Sequence, residues 1–216
     1  DVTAQGMSFP DVKDPQKIEY AFDDKLEILF FETISKLVDD IGYYRYRAIE
    51  FLIKVEDRKR YGDVESISKR LSAIMKTLLV KRLESSFHAF KMSLNRFYNN
   101  TNHMIKMFED DTIYIAPDVD VNKFLNEGDE EGLEKKINEK GGNNLIYKSE
   151  DFKEDFINAL KLDLQYIKHL VDEWSKIDYD PKLEKFLVDI KKEFLSKKIN
   201  HSGKLVVFSE SKETIK

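Results

Sequence analysis

Residues 63–108 read DVESISKRLSAIMKTLLVKRLESSFHAFKMSLNRFYNNTNHMIKMF. Apolar residues recur along this stretch at intervals of mostly three and four positions, which is the spacing of one face of an α-helix. No proline or glycine interrupts positions 63–116. The stretch therefore predicts one very long helix of about 45 residues, about 65 Å at 1.5 Å per residue. A break at positions 99–102 is the alternative, because the Asn and Thr side chains there compete for backbone hydrogen bonds.

The rest of the chain also favours helices. Charged residues make up 36% of the 216 residues, and there are only 8 Gly and 4 Pro. This balance suits helices with solvated faces better than a β-sandwich, which needs frequent turn residues. A first helix is predicted to begin after Asp23 or Asp24 and to end at Gly42. Further helices are predicted over residues 44–58, 152–174 and 181–194.

Two segments near the ends of the sequence have the pattern of short strands. Residues 18–22 alternate between apolar and other side chains. Residues 205–208, LVVF, are apolar on both faces, as in a buried parallel strand, which needs neighbouring strands. Residues 109–150 are rich in loop formers and are predicted to hold only short helices, at about 121–126 and 130–139. The predicted fold class is mainly α: an elongated multi-helix assembly with one very long helix, an irregular acidic insert and one or two short strands near the termini.

Charge is unevenly distributed along the sequence. Residues 66–106 carry eight basic side chains against one acid, a balance of +7. Residues 109–139 carry eleven acids against three lysines, a balance of −8. The formal net charge of −5 thus hides a basic helix beside an acidic insert. A polyanion can bind such a helix because affinity follows the local field. The alternative is an ordinary solvated helix face.

Complete sets of catalytic residues are missing from the sequence. The dipeptide Gly203-Lys204 is followed by Leu205 and is preceded by Lys198 where a phosphate-binding loop requires glycine. No Glu stands three residues before any of the four His, so the Glu-x-x-His pairs of carboxylate-bridged metal sites are absent. The sequence predicts no catalytic residue, metal site or cofactor within these 216 residues.

Composition also bears on location. The chain has no Cys, which excludes disulfides and thiol chemistry and is compatible with a reducing cytoplasm. No stretch approaches the roughly 20 apolar residues of a membrane-spanning helix. We therefore expect a cytoplasmic protein without a membrane partner.

One segment resembles a known protein family. Residues 76–90, KTLLVKRLESSFHAF, resemble part of the bacterial superfamily-two helicases of the Swi/Snf-like group. In that group a Lys-Arg-x-x-Ser-Ser-x-x-Ala element lies between the two RecA-like motor lobes. The matching residues here are Lys81, Arg82, Ser85, Ser86 and Ala89.

Three other stretches resemble further parts of the same family and occur in the same order along the chain. Residues 15–34 resemble the exit from lobe one, an extended segment followed by a helix. Residues 180–187, DPKLEKFL, resemble the helix that these motors place just before lobe two. Residues 204–214, KLVVFSESKET, resemble helicase motif IV, the first strand of lobe two. The resemblance implies an extended exit from lobe one over residues 1–22, an inter-lobe helical domain over 23–200 and the first strand of a truncated lobe two over 201–216.

The resemblance also implies a function. The chain would be the helical inter-lobe region of an ATP-dependent DNA or RNA helicase or translocase, a hydrolase whose ATP and Mg²⁺ sites lie in the two RecA-like lobes. Its residues would brace the lobes and contact nucleic-acid backbone, with Lys81 and Arg82 as charged contacts and Ser85 and Ser86 as neutral donors. Ser209 and Lys212, after the motif IV strand, would also touch phosphate.

Several alternatives to this function stay open. The same four helix residues can serve packing and lobe bracing alone, with Arg82 paired to an acid. The chain can also be a self-contained helical module that binds protein, or a small nucleic-acid-binding protein.

Overall fold

Helices dominate the architecture. The computed structural model describes residues 14–15, 17–61, 64–115, 145–198 and 200–209. Helical residues make up 69% of this part, which confirms the predicted mainly α class. The helices are α1 (Asp24–Ser35), α2 (Val55–Lys59), α3 (Val64–Ser85), α4 (Phe87–Glu109), α5 (Asp155–Ser175) and α6 (Pro181–Asp189). One π-helical turn extends α1 (Lys36–Asp40) and another extends α6 (Ile190–Phe194), and short 3₁₀ segments lie at Tyr44–Phe51 and Ser149–Asp151.

Two helix starts lie where the sequence placed them. Asp23 accepts a hydrogen bond from the backbone N–H of Leu26 at 2.9 Å and so begins α1. Asp180 caps α6 in the same way, and Pro181 fills the first helical position. A short acidic side chain satisfies N–H groups that have no partner within the helix, which explains both starts.

The prediction of one very long helix is wrong. The helix breaks at Ser86, which has extended backbone (φ −160°, ψ 130°), and α4 begins at the next residue. α3 and α4 then fold back on each other as a hairpin, which brings the side chain of Arg82 to that of Ser93. The alternative break at positions 99–102 is also wrong, because α4 runs through these residues.

Three further expectations need correction. The predicted helix over 44–58 is a 3₁₀ segment followed by the short α2. Residues 18–22 and 205–208 form no strand, and Phe208 is 91% exposed. The two strands lie beside the acidic insert instead: β1 (Ile113–Ile115) pairs antiparallel with β2 (Leu145–Tyr147). The short helices predicted at 121–126 and 130–139 lie outside the described residues.

The core consists of two hydrophobic clusters. The first fills the space between α1, α3, α4 and the second half of α5, and Trp174 is fully buried in it. The second lies where the Tyr44–Phe51 segment, the two strands and the end of α4 meet the first half of α5. α5 contributes to both clusters, so it joins them into one framework.

A buried carboxylate fixes the chain between the clusters. Asp163, on α5, is 2% exposed and accepts hydrogen bonds from the backbone N–H groups of Gly42 at 2.7 Å and Tyr44 at 2.8 Å. Tyr43 between them has left-handed backbone (φ 53°), which turns both N–H groups toward the same carboxylate. Burial raises the pKa of Asp163, although the two backbone hydrogen bonds oppose this shift. The partners of Asp163 could not be predicted from the sequence, because they lie 119 residues or more away along the chain.

Candidate nucleic-acid interface

The predicted site residues lie around the break between α3 and α4. Ser86 uses its hydroxyl as the cap of α4, where it accepts a hydrogen bond from the N–H of Ala89 at 3.4 Å. Asp180 Oδ2 accepts another from the N–H of Phe87 at 3.0 Å. The break is therefore held by a residue that lies 93 positions later in the chain.

Asp180 caps two helices at once. While its Oδ2 binds the start of α4, its Oδ1 accepts from the N–H groups of Lys182 at 3.1 Å and Leu183 at 3.2 Å, at the start of α6. Lys182 Nζ then donates to the backbone carbonyl of Glu84 at 3.1 Å, near the end of α3. Two of the stretches that carry the family resemblance, 76–90 and 180–187, are thus in direct contact.

We expect Asp180→Ala to lower the free energy of unfolding by about 2 kcal/mol, because each lost helix cap costs typically ~1 kcal/mol. Urea denaturation followed by circular dichroism measures the change. Asp178→Ala is the matched control, since Asp178 is exposed and stands two residues away; it should change stability by less than about 0.5 kcal/mol. Equal effects of the two variants would contradict the double-cap arrangement.

The segment before α1 packs on the same end of the bundle. The ring of Phe22 lies 6.1 Å from that of Phe87, centroid to centroid. Tyr179 donates a hydrogen bond to Asp23. Burial, together with the negative charges of Asp180 and Glu84, raises the pKa of the Tyr20 phenol. A third stretch of the resemblance, 15–34, therefore reaches the junction that Asp180 forms.

The two predicted charged contacts have different surroundings. The Lys81 side chain is exposed, as a phosphate contact requires. Arg82 is only 8% exposed, and its Nη1 donates to the hydroxyl of Ser93 on α4. Ser85 is half-buried at the last position of α3. The structure thus gathers Lys81, Ser85 and Ser86 along one helix end and turns Arg82 toward the neighbouring helix.

Two further residues, Ser209 and Lys212, were predicted to touch phosphate. The described contacts join neither of them to this junction. Ser209 is half-buried at the end of the irregular segment 200–209. Lys212 lies outside the described residues.

Two of the basic side chains in the predicted polyanion track have structural contacts. Lys91 Nζ donates to the carbonyl of Ile177 at 2.7 Å, just after α5. Lys76 Nζ donates to the carbonyl of Val38, near the end of α1. Both ammonium groups thus bind carbonyls at helix ends, where a positive charge is favourable. The exposed basic residues of the hairpin are Lys69, Arg70, Lys81 and Lys106.

Two polar groups of the core were missed by sequence reasoning. Asp163 occupies one of the positions, with Leu160, Ile167 and Leu170, that form the buried stripe of α5. An acid in such a stripe is itself a signal, because a buried carboxylate needs hydrogen-bond donors. Ser93, which receives Arg82, stands next to buried Leu94 and carries no comparable signal.

Comparisons with known proteins give no match: no protein-family model, no curated protein and no solved structure is similar to this chain. Over the described ranges, no group of three or more His, Asp or Glu side chains is arranged to hold a metal ion. Among the helices that the structure describes, none is both long and apolar enough to cross a membrane.

Proposed function

We propose that this chain is the helical inter-lobe region of a cytoplasmic ATP-dependent DNA or RNA helicase or translocase, where it braces the motor lobes and contacts nucleic-acid backbone. The family resemblance of residues 76–90, 180–187 and 204–214 is the origin of this proposal. ATP and Mg²⁺ would bind in the lobes. The meeting of residues 15–34, 76–90 and 180–187 at one end of the bundle supports a single mechanical unit.

The observation that carries the proposal is a set of exposed apolar side chains on α6 and in the segments that follow it. Four apolar side chains of α6 and the turn after it are exposed by 44–52%: Leu183, Leu187, Val188 and Leu195. Residues 205–208 are exposed as well, with Val206 at 72% and Phe208 at 91%. Leu183 and Leu187 lie one helical turn apart on the same face of α6, and exposed apolar side chains grouped in this way mark a site for protein contact. A motor lobe packed against α6 would cover it.

The bracing role follows from how α6 is attached. Two hydrogen bonds attach the start of α6 to the break of the α3–α4 hairpin, one from the N–H of Phe87 to Asp180 and one from Lys182 to the carbonyl of Glu84. A lobe that packs on α6 would therefore move together with the hairpin as one body. Lys81 lies about one turn before the break, so it would move with the hairpin. Its ammonium group would then shift relative to the nucleic-acid backbone as the lobes close.

We expect the chain to bind a 20-nucleotide single strand and a 20-base-pair duplex with an affinity that falls as salt rises from 50 to 200 mM, since phosphate contacts release counterions. Lys81→Ala should reduce the slope of log affinity against log salt by about 1. Fluorescence anisotropy measures both quantities. Lys161→Ala, on the exposed face of α5, is the control and should leave the slope unchanged. A slope near zero, or an equal effect of the control, counts against the interface.

The second candidate is a self-contained helical module that binds protein. It is favoured by the two core clusters of the described residues, whose members are exposed by 8% or less. The anisotropy measurement separates the candidates: a folded chain that binds no nucleic acid at 50 mM salt supports the protein-binding module.

A further inference from the structure

An apolar stripe lies on the outer face of α1. Ile28 is 69% exposed and Phe31, about one helical turn away, is 61% exposed. Val38, in the π-helical extension of the same helix, is exposed as well. The opposite face of α1 is buried in the first core cluster through Leu26 and Leu37. Because α1 is apolar on both sides, its outer face is suited to pack against a further partner.

Acidic side chains border this stripe. Residues 24–40 carry five acids against two lysines, a balance of −3. Each of three exposed acids stands four positions from Ile28 or Phe31 and therefore next to it on the helix surface: Asp24, Glu27 and Glu32. The stripe thus suits an apolar partner that carries positive charge.

The helix α6 has the complementary character. Neither core cluster of the described residues includes a residue of α6. Its side chains Leu187 and Val188 are exposed, and the exposed Lys191 and Lys192 each stand four positions after one of them. Residues 181–198 carry six lysines against three acids, a balance of +3. The chain therefore holds both an acidic and a basic apolar face.

The two faces can meet only between copies if each is to be covered as the structure stands. Within one copy they do not cover each other, because both stay exposed. The two helices begin at one junction, where Tyr179 donates a hydrogen bond to Asp23, the cap of α1. A second copy that lays its α6 on α1 of the first can therefore receive α6 of the first on its own α1. Such reciprocal pairing is what a two-fold axis produces.

We propose that the chain forms a two-fold dimer in which α6 of each copy packs on the outer face of α1 of the other. Ile28 and Phe31 would lose their exposure to water against Leu183 and Leu187, and burial of apolar surface drives the association. The lysines of α6 would lie beside the acids of α1, which fixes the pairing of unlike faces. The dimer goes beyond the proposed function: it is the state of the chain when no motor lobe covers α6, and it needs no nucleic acid.

Sedimentation equilibrium from about 1 to 300 μM protein tests the dimer, because this range brackets a micromolar dissociation constant. The wild-type chain should pass from monomer to dimer across it. Phe31→Glu and Leu187→Glu should each weaken dimerisation about tenfold or more, since each places a carboxylate in the apolar contact. Ile146→Glu is the matched control, because Ile146 is 63% exposed on β2, and it should leave the dissociation constant unchanged.

A mixture of the two variants tests which faces pair. The Phe31→Glu copy keeps an intact α6 and the Leu187→Glu copy keeps an intact α1, so one of the two contacts is restored. The mixture should therefore associate more strongly than either variant alone. Circular dichroism checks that each variant is folded, and Ile28→Glu or Leu183→Glu replaces a variant that is not.

Three results would overturn the dimer: a wild-type chain that stays monomeric throughout, association that persists in both variants, or a mixture that associates no better than its components. The oligonucleotide titration of the wild-type chain is read separately. A chain that dimerises but binds no nucleic acid would contradict the proposed function and support the dimer.

Discussion

Asp163→Ala should lower the free energy of unfolding by about 2–5 kcal/mol. The substitution leaves the N–H groups of Gly42 and Tyr44 without the carboxylate that accepts both of them, and each unsatisfied buried donor costs about 1–3 kcal/mol. Tyr43 between them would also lose the contact that holds its left-handed backbone. Denaturant unfolding followed by circular dichroism measures the loss.

Asp172→Ala is the matched control for this variant. Asp172 lies on the same helix but is exposed, where it pairs with Lys168 at 2.8 Å. Surface ion pairs contribute little, so the control should change stability by less than about 1 kcal/mol. Comparable losses of stability in the two variants would show that the hydrogen bonds from Gly42 and Tyr44 to Asp163 do not stabilise the fold.

Trp174→Ala is expected to lower the free energy of unfolding by about 3–5 kcal/mol, the range for removing a large aromatic side chain from a core. Trp174 is fully buried, with its ring 4.8 Å from that of Phe87 and 5.2 Å from that of Phe90. Its Nε1 also donates to the hydroxyl of Thr33 at 2.8 Å. The same unfolding measurement quantifies the loss.

Trp174→Phe separates packing from hydrogen bonding at this position. The smaller ring keeps most apolar contacts but leaves the Thr33 hydroxyl without its donor, so we expect a loss smaller than that of Trp174→Ala. Thr33→Val, in a protein that keeps Trp174, removes the acceptor of the indole N–H. It should lower the free energy of unfolding by about 1–3 kcal/mol, because the indole N–H stays buried without a partner. A Trp174→Ala variant as stable as the wild type would contradict the assignment of this residue to the core.

The sequence was sufficient for features that depend on neighbouring residues. The caps at Asp23 and Asp180, and the helical stripe of α5, follow from local spacing, and all three are present. The break at Ser86 was missed because the apolar period continues from α3 into α4 without a glycine or proline. Ser86 is a good N-cap residue, but so are many serines within helices, and the partner that decides this one is the distant Asp180.

Features that depend on contacts between residues far apart in the chain could not be predicted from the sequence. A run of four apolar residues at 205–208 fits a buried strand, and yet it is exposed, because no neighbouring strand within the described residues pairs with it. The strands that do form, β1 and β2, have three residues each and are too short for their alternation to stand out. At the candidate site, Lys81 could be predicted as exposed from its charge, whereas the burial of Arg82 depends on how α4 folds back onto α3.

The position of Trp174 provides the chain with a built-in spectroscopic reporter. It is the single tryptophan of the sequence, and its ring contacts Phe87, the first residue after the break that Asp180 caps. Fluorescence excited selectively from indole therefore reports on this junction alone, because the sequence has no second tryptophan. Loosening of the junction by a partner that pulls on α6 would shift the emission to longer wavelength as water reaches the ring. Movement of α6 relative to the α3–α4 hairpin could then be followed in real time without any attached dye.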